Sequence, residues 1–178
     1  MNRFQKTIRP KNTVGKIISL MSLLTGGLLF ALAGTERLPI PALAQLAGLI
    51  FMTFSVYIAA SFLLREFTYY VEPSDREVDS DDPKDRYDLI IKEFRSRREI
   101  KVCHVYMNQI TSIRTVEAGN KKQVMEERKG SKRYTYNSEF SPARQIEICA
   151  LIDDEQYSIL IAYDEELLRV LESFFTQE

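Results

Sequence analysis

Two long apolar runs dominate the hydropathy pattern of this chain, Val14 to Gly34 and Ile40 to Leu64. Only residues 35–39 separate them, and neither run contains an acidic residue. At about 1.5 Å of rise per helical residue, each run is long enough to cross a hydrocarbon core of roughly 30 Å. Because every backbone N–H and C=O inside lipid needs an internal partner, both runs are predicted to be helices. The pattern therefore predicts a membrane hairpin, with transmembrane helices over 14–34 and 40–64.

After Leu64 the pattern changes to short alternating runs separated by turn residues, which is typical of antiparallel strands. Seven strands are predicted, over residues 66–72, 87–94, 99–106, 112–118, 132–137, 145–152 and 156–163. Asp164 then has the position of a helix N-cap, and it precedes a stripe at helical spacing: Leu167, Val170, Leu171 and Phe174. Residues 65–178 are expected to form one mainly β domain of the α+β class, closed by a C-terminal helix.

The basic residues predict the orientation of the hairpin. Residues 1–13 hold four bases and no acid, and Lys16 follows, whereas residues 35–39 hold only Arg37 beside Glu36. Lys and Arg near span ends are retained on the cytoplasmic side, so residues 1–13 are predicted to be a basic cytoplasmic N-terminus. Two spans return the chain to the same side. We therefore expect a multi-pass plasma membrane protein with both termini, and the domain 65–178, in the cytoplasm.

A secretory signal peptide is the alternative for the first apolar run. A basic start, an apolar stretch and the small-residue sequence Ala31-Leu32-Ala33 fit its pattern. The run exceeds the usual h-region of roughly 7 to 15 residues, and a second span follows almost at once, which favours the hairpin. Even after cleavage, residues 40–64 would remain as a membrane anchor with the following domain in the cytoplasm.

Small residues recur four positions apart in both predicted helices, as the pairs Ser22 and Gly26, Gly27 and Ala31, Ala44 and Gly48, and Ser55 and Ala59. This spacing lets helix backbones approach closely in lipid, so we expect the two helices to pack on each other. A homo-oligomer or a partner helix on one of these faces is the alternative. Gln45 is the only strongly polar side chain well inside a span, and it is expected to bond a neighbouring helix.

The formal net charge of -1 hides an acidic C-terminal part, since 24 acidic and 18 basic residues follow Leu64. Such a domain does not favour nucleic acid through its overall charge. One basic run is predicted to contact anionic lipid or a partner, and it comprises Lys121, Lys122, Arg128, Lys129, Lys132 and Arg133. The alternative is a solvated loop of mixed charge. Arg95, Arg97 and Arg98 are interpreted as ordinary exposed bases at strand ends.

Residues with catalytic or metal-binding chemistry are scarce. His104 is the only histidine and lies in a predicted strand, without the spacing of a metal site. Cys103 and Cys149 lack C-x-x-C spacing and are interpreted as buried, reduced thiols. The usual nucleotide-binding, hydrolase and zinc-protease motifs do not occur. We therefore expect a protein that is not an enzyme and has neither metal nor cofactor.

The domain follows the second apolar run without a linker. Arg65 comes directly after Leu64, and three aromatic residues follow at once: Phe67, Tyr69 and Tyr70. Basic and aromatic side chains at this position are typical of a membrane interface. A domain held this close to the membrane is expected to bind another membrane or cytoplasmic protein, as an adaptor or assembly factor, at a sheet edge or beside the last helix. The alternative is an anionic-lipid sensor that uses the 121–133 loop.

The order of seven strands and one C-terminal helix resembles the pleckstrin-homology fold. The whole layout resembles small bacterial membrane proteins with two N-terminal helices and a pleckstrin-homology-like domain, and it is distantly similar to the photosystem I assembly family. Residues 105–113, VYMNQITSI, are similar to the family stretch in which a polar turn and an Ile-x-x-Ile pair lead into the next strand. The resemblance implies a seven-stranded antiparallel sandwich or barrel. It also implies phosphoinositide binding at the first hairpin, but that segment carries Asp75, Glu77, Asp79, Asp81, Asp82 and Asp85.

Overall fold

The computed structural model describes residues 3–8, 12–35, 40–76, 80–95, 98–120, 124, 126–127 and 129–175. It divides into a helical unit, Pro10–Arg65 with Glu139–Ser141, and a β unit, Met1–Arg9, Glu66–Ser138 and Pro142–Glu178. The strands are β1 (Phe4–Ile8), β2 (Glu66–Pro73), β3 (Tyr87–Arg95), β4 (Arg98–Tyr106), β5 (Ile110–Glu117), β6 (Lys132–Tyr136), β7 (Arg144–Ile152) and β8 (Glu155–Ala162). The helices are α1 (Thr13–Ala33), α2 (Pro41–Ile58), α3 (Pro83–Arg86) and α4 (Glu165–Ser173).

The helical unit contains two long apolar helices, as the hydropathy pattern predicts. By length and composition, both α1 and the continuous helix Pro41–Leu63 can cross a membrane. Pro41 begins α2, where the missing N–H of proline costs little. The last turn, Ala59–Leu63, is a π-helix, closed by the Leu64 N–H, which donates to Ala59 O at 3.1 Å.

Small residues form the contact between α1 and α2, which confirms the predicted packing of the two helices. The Ser55 hydroxyl donates to Ser19 O at 2.7 Å, and the Ser22 hydroxyl donates to Phe51 O at 2.8 Å. At Gly26 and Gly48 the backbones touch, because a Cβ added to either glycine would lie 2.8 Å from the carbonyl oxygen of the other. Gln45, by contrast, is exposed on α2.

The segment Glu139–Ser141, from the connection between β6 and β7, belongs to the helical unit. Asn12 joins it to both helices: its side-chain amide donates to Phe62 O, and its Oδ1 accepts the Phe140 N–H at 2.8 Å. The rings of Phe62 and Phe140 meet edge to face, with centroids 5.1 Å apart. Since Asn12 is buried, these bonds replace those it would make with water.

The β unit consists of two four-stranded sheets, with strand orders β1-β2-β3-β4 and β5-β7-β8-β6. One apolar core takes side chains from both sheets and from α4. All seven predicted strands form within a residue or two of their predicted bounds, but the sheets do not close into a barrel. The expected number of seven strands and the expected all-antiparallel pairing were also wrong. Residues 4–8 form an eighth strand antiparallel to β2, and β6 runs parallel to β8.

The C-terminal helix begins as predicted. Asp164 is its N-cap, because Oδ1 accepts the Leu167 N–H at 3.0 Å. Its apolar stripe is buried in the core through Leu167, Leu171 and Phe174. Lys6 of β1 donates to Glu166 Oε2 at 2.6 Å, and this bond to the first turn of α4 raises the pKa of Lys6.

The turn between β7 and β8 gives a stability prediction. Asp153 and Asp154 adopt φ of 51° and 64°, the left-handed conformations of a type I′ turn, in which glycine is preferred at the second position. We expect Asp154→Gly to raise the free energy of unfolding by roughly 0.5–1 kcal/mol, because glycine adopts this conformation without a steric penalty. Asp154→Ala should lower it. Urea unfolding of the detergent-solubilised chain measures both; equal stability of the two variants would contradict the prediction.

Candidate interaction surface on strand β6

The predicted basic run is only partly within the described residues. Lys121, Lys122 and Arg128 lie outside them. Lys129 is exposed in a turn, and Lys132 and Arg133 are exposed on β6. The ammonium of Lys132 forms an ion pair with Glu155 of β8, and this hydrogen bond raises the pKa of Lys132 and lowers the pKa of Glu155. Lys132 is therefore partly neutralised within the β unit.

The predicted membrane-interface role of three aromatic residues requires a correction. The side chains of Phe67, Tyr69 and Tyr70 are 2%, 0% and 3% exposed, so they fill the β unit and cannot also lie among lipid headgroups. Alternation along β2 places Phe67 and Tyr69 in the apolar core and Tyr70 on the opposite face, where its hydroxyl donates to Glu99 at 3.4 Å. The fourth predicted interface residue, Arg65, is half-buried in the helical unit.

Strand β6 is an edge of its sheet. It pairs on one side with β8, and among the described residues no strand pairs with its other side. Four of its five residues, Lys132 to Thr135, are exposed. An exposed edge presents backbone N–H and C=O groups on which an extended segment of another chain can form hydrogen bonds.

Three tyrosines form a row of stacked rings beside this edge. The ring centroid of Tyr134 lies 6.1 Å from that of Tyr157 and 6.3 Å from that of Tyr136, with interplanar angles of 19° and 5°. Tyr134 is 45% exposed and is therefore one of the few large apolar side chains on the surface of the β unit. We refer to β6 together with Glu155 and Tyr157 as the β6 surface. Tyrosines are common at protein interfaces, because the ring is apolar and the hydroxyl can still bond.

Two tyrosine hydroxyls join the two sheets at this side of the sandwich. In a closed barrel, backbone hydrogen bonds between neighbouring strands would join the sheets instead. The Tyr136 hydroxyl donates to Val102 O of β4 at 3.1 Å. The Tyr69 hydroxyl donates to Tyr136 O at 2.6 Å and accepts the Ala162 N–H at 3.2 Å. These bonds fix the end of β6 while the rest of the strand stays exposed.

Burial in this region raises the pKa of the Cys103 thiol to about 11 and that of Tyr136 to about 12. We expect Cys103, in a Cys149→Ala background, to react slowly with iodoacetamide at about pH 8 and faster as the pH approaches the raised value, because the thiolate is the nucleophile. Unfolding in urea should restore the ordinary thiol profile. A native rate equal to the unfolded rate at about pH 8 would contradict the assignment.

A cavity of about 180 Å³ adjoins the β6 surface. Its lining includes Ser131, Gln156 and Tyr157, and the apolar side chain of Leu151. The mixture of hydroxyl, amide and apolar groups suits a side chain of a bound segment better than a charged ligand.

The other chemically notable residues lie elsewhere in the β unit. Nε2 of His104 is 2.8 Å from Asp88 Oδ2, and the His104 ring packs on Tyr106 with centroids 4.9 Å apart. These contacts fix the imidazole on the outer face of its sheet. Within the described ranges, no group of three or more His, Cys, Asp or Glu residues could hold a metal ion.

Sequence reasoning missed the row of tyrosines on the β6 surface and one buried carboxylate. Tyr134 and Tyr157 meet only because β6 runs parallel to β8, which no local pattern indicates. Glu147 alternates with the core isoleucines of β7, which predicts exposure, yet it is 1% exposed and bonded to Arg114 and Ser158. No periodic signal distinguishes it from a solvated glutamate.

The pleckstrin-homology resemblance stays a prediction, because comparison of the chain with protein-family models, curated proteins and solved structures gave no match.

Proposed function

We propose that this protein is a non-catalytic integral membrane protein whose β unit binds another protein, as an adaptor or assembly factor at the cytoplasmic face. The observation that carries the proposal is the β6 surface, an exposed strand edge beside a row of stacked tyrosines in which the ring of Tyr134 is exposed. Strand addition would give the partner backbone hydrogen bonds, and the rings and the adjoining cavity would select its side chains.

Membrane insertion is supported by the surface of the helical unit. In each of the two helices, only 17% of the most apolar 18-residue stretch is buried. A helix in the core of a soluble protein is, by contrast, mostly buried. The exposed side chains of α1 and α2 include Leu24, Leu28, Ile50 and Val56. The residues at the contact between the helices are small: Ser19, Ser22, Gly26, Gly48 and Ser55. This distribution suits two helices surrounded by lipid. The bases of residues 1–13 support cytoplasmic placement of both termini.

We also propose that the β unit is a pleckstrin-homology-like domain of the bacterial membrane type. Two sheets around one core, followed by a C-terminal helix that buries its apolar stripe, support this relationship. The strand β1 and the parallel pairing of β6 would be additions to the seven-stranded arrangement.

The sheet edge is a better partner site than the groove beside the last helix. The apolar stripe of α4 is already occupied, since Leu167 and Leu171 are fully buried in the core. The β6 edge has no pairing strand in the described part of the chain, and its side chains are exposed. The partner is therefore expected to bind as an extended segment rather than as a helix.

Site-specific photocrosslinking in native membranes tests this proposal. A benzoylphenylalanine at Thr135 on β6 is expected to give a discrete crosslinked species, and the same group at exposed Arg169 on α4 should give none. The Thr135 crosslink should weaken when Tyr134→Ala removes the exposed ring, because interface tyrosines often contribute more than 1 kcal/mol to binding. Crosslinking that is absent at Thr135, or insensitive to Tyr134, would contradict the adaptor function.

Anionic-lipid sensing by the 121–133 loop is the second candidate, and the exposure of Lys129 and Arg133 favours it. The chain contains no tryptophan, so a single introduced tryptophan reports its own surroundings. For this candidate, Glu126→Trp in the reconstituted full chain should be quenched by brominated phosphatidylglycerol, and high salt should abolish the effect. Unquenched emission would reject lipid sensing by this loop.

A further inference from the structure

The turn end of the β3–β4 hairpin lies beside the first residue of β2. Strand pairing places Phe94 opposite Glu66, and Glu66 directly follows Arg65 in the chain. Adjacent strands lie about 4.8 Å apart, so Phe94 is one strand spacing from the first residue of β2. The same end of the sheet includes Ile8, the last residue of β1, which pairs with Phe67.

Two large apolar side chains are exposed at this end. Phe94 is 41% exposed and Ile100 is 52% exposed. Among the described residues of the β unit, only two other large hydrophobic side chains are comparably exposed, Tyr134 and Leu151. Phe94 pairs with Glu99 and Ile100 with Glu93, so the two side chains lie in neighbouring rows and on opposite faces of the hairpin.

Positive charge accompanies these apolar side chains. Arg98 and Lys101 are exposed, and the sequence adds Arg95 and Arg97, whose side chains lie outside the described residues. Three acids lie nearby: Glu66 and Glu93, which pair with Phe94 and Ile100, and Glu99, which accepts a hydrogen bond from Tyr70 and lies 3.8 Å from the ammonium of Lys92. We refer to Phe94, Arg98, Ile100 and Lys101 as the hairpin end. It combines two exposed bases, which form no ion pair within the described part of the chain, with apolar side chains. This composition suits the boundary between anionic headgroups and acyl chains.

We infer that the hairpin end docks on the anionic headgroup layer of the bilayer that α1 and α2 cross. This inference rests on the proposed membrane insertion and extends it, because it gives the β unit a second, noncovalent attachment to the membrane. A protein partner docked on one face of the hairpin would cover Phe94 or Ile100 but not both. A lipid surface that surrounds the tip covers both side chains, and its phosphates neutralise the bases.

Tryptophan fluorescence in reconstituted vesicles tests the inference. The probes are Phe94→Trp and, as a second site, Ile100→Trp in the full chain, with vesicles of phosphatidylcholine and phosphatidylglycerol brominated along the acyl chains. The matched control is Ser173→Trp, at an exposed position on α4. The next residue, Phe174, packs on Tyr87, with ring centroids 5.3 Å apart, which locates the control relative to β3. Tyr87 begins β3, so this control lies near the opposite end of the strand, about 23 Å from Phe94.

Both hairpin probes should be quenched at least about twofold more strongly than Ser173→Trp, with emission shifted to the blue. Adding Arg98→Glu and Lys101→Glu to Phe94→Trp should reduce the quenching in anionic vesicles. Solvent-like emission at both hairpin positions, or quenching equal to the control, would overturn the inference. Alkaline extraction of the same vesicles separates the two proposals: a chain that is extracted contradicts membrane insertion, whereas an inserted chain with unquenched probes contradicts only the docking.

Discussion

Gly26→Leu is expected to break the packing of α1 against α2, whereas Gly27→Leu at the neighbouring position should leave it intact. A Cβ on Gly26 would lie 2.8 Å from Gly48 O and equally close to the side chain of Met52, which is closer than real Cβ contacts. A Cβ on Gly27 meets nothing within 4 Å. Because both changes replace glycine by leucine in the same helix, the difference between them reports the contact alone.

Thermal unfolding of the two variants in detergent micelles, followed by circular dichroism, measures this difference. Overpacking of a close contact costs roughly 1–3 kcal/mol, and leucine at Gly26 exceeds the available space by far more than a methyl group, so the upper end of that range is expected. Gly27→Leu should match or slightly exceed the unchanged chain, since leucine favours helix over glycine. Equal destabilisation by both variants would show that the small residues do not form the helix contact.

Elements with a strong local period were predictable from the sequence. The two helices follow from uninterrupted apolar runs, and the β7–β8 hairpin follows from alternating isoleucines on either side of a two-residue turn. The start of α4 was predictable because Asp164 is a capping residue directly before a helical stripe. In each case the signal lies within one continuous stretch of the sequence, which is what periodicity can report.

Features that depend on distant pairing were not predictable. Strand β1 has only five residues, and it forms because β2, a distant segment of the chain, supplies its partner edge. The parallel pairing of β6 with β8 depends on how the intervening chain crosses, which alternation does not encode. Phe67 and Tyr69 look like interface residues beside Arg65, yet β2 is an interior strand and its core face is buried.

The candidate site was predictable only in part. The charges of the 121–133 loop are visible in the sequence, and Lys132 and Arg133 do lie on the exposed strand β6. The sequence does not reveal that Lys132 pairs with Glu155, because that pair forms across β6 and β8. The stacked tyrosines depend on the same register, so the site emerges only once the strand order is known.

The second large effect is expected at the buried carboxylate of β7. Glu147 is 1% exposed; its Oε1 accepts from the Ser158 hydroxyl at 2.6 Å and its Oε2 accepts from Arg114 Nε at 2.5 Å. Arg114 also donates to Glu127 Oε2 at 2.8 Å. Among the described residues, Arg114→Leu would leave Glu147 with a single hydroxyl donor, Ser158, and no cation. An uncompensated buried charge is costly, so we expect the β unit to lose about 3 kcal/mol of unfolding free energy.

Removal of both charges should be far less harmful than removal of one. In Arg114→Leu with Glu147→Met, both charges of this pair are gone, and well-packed apolar replacements of buried ion pairs are often neutral. Lys132→Met is the control, because it breaks an ion pair whose partners are about half exposed, and such pairs contribute little. Urea unfolding of the full chain in detergent should therefore rank Arg114→Leu well below the double variant, with Lys132→Met close to the unchanged chain. If Arg114→Leu is as stable as Lys132→Met, the pair is not a structural element of the β unit, and the burial of Glu147 has another compensation.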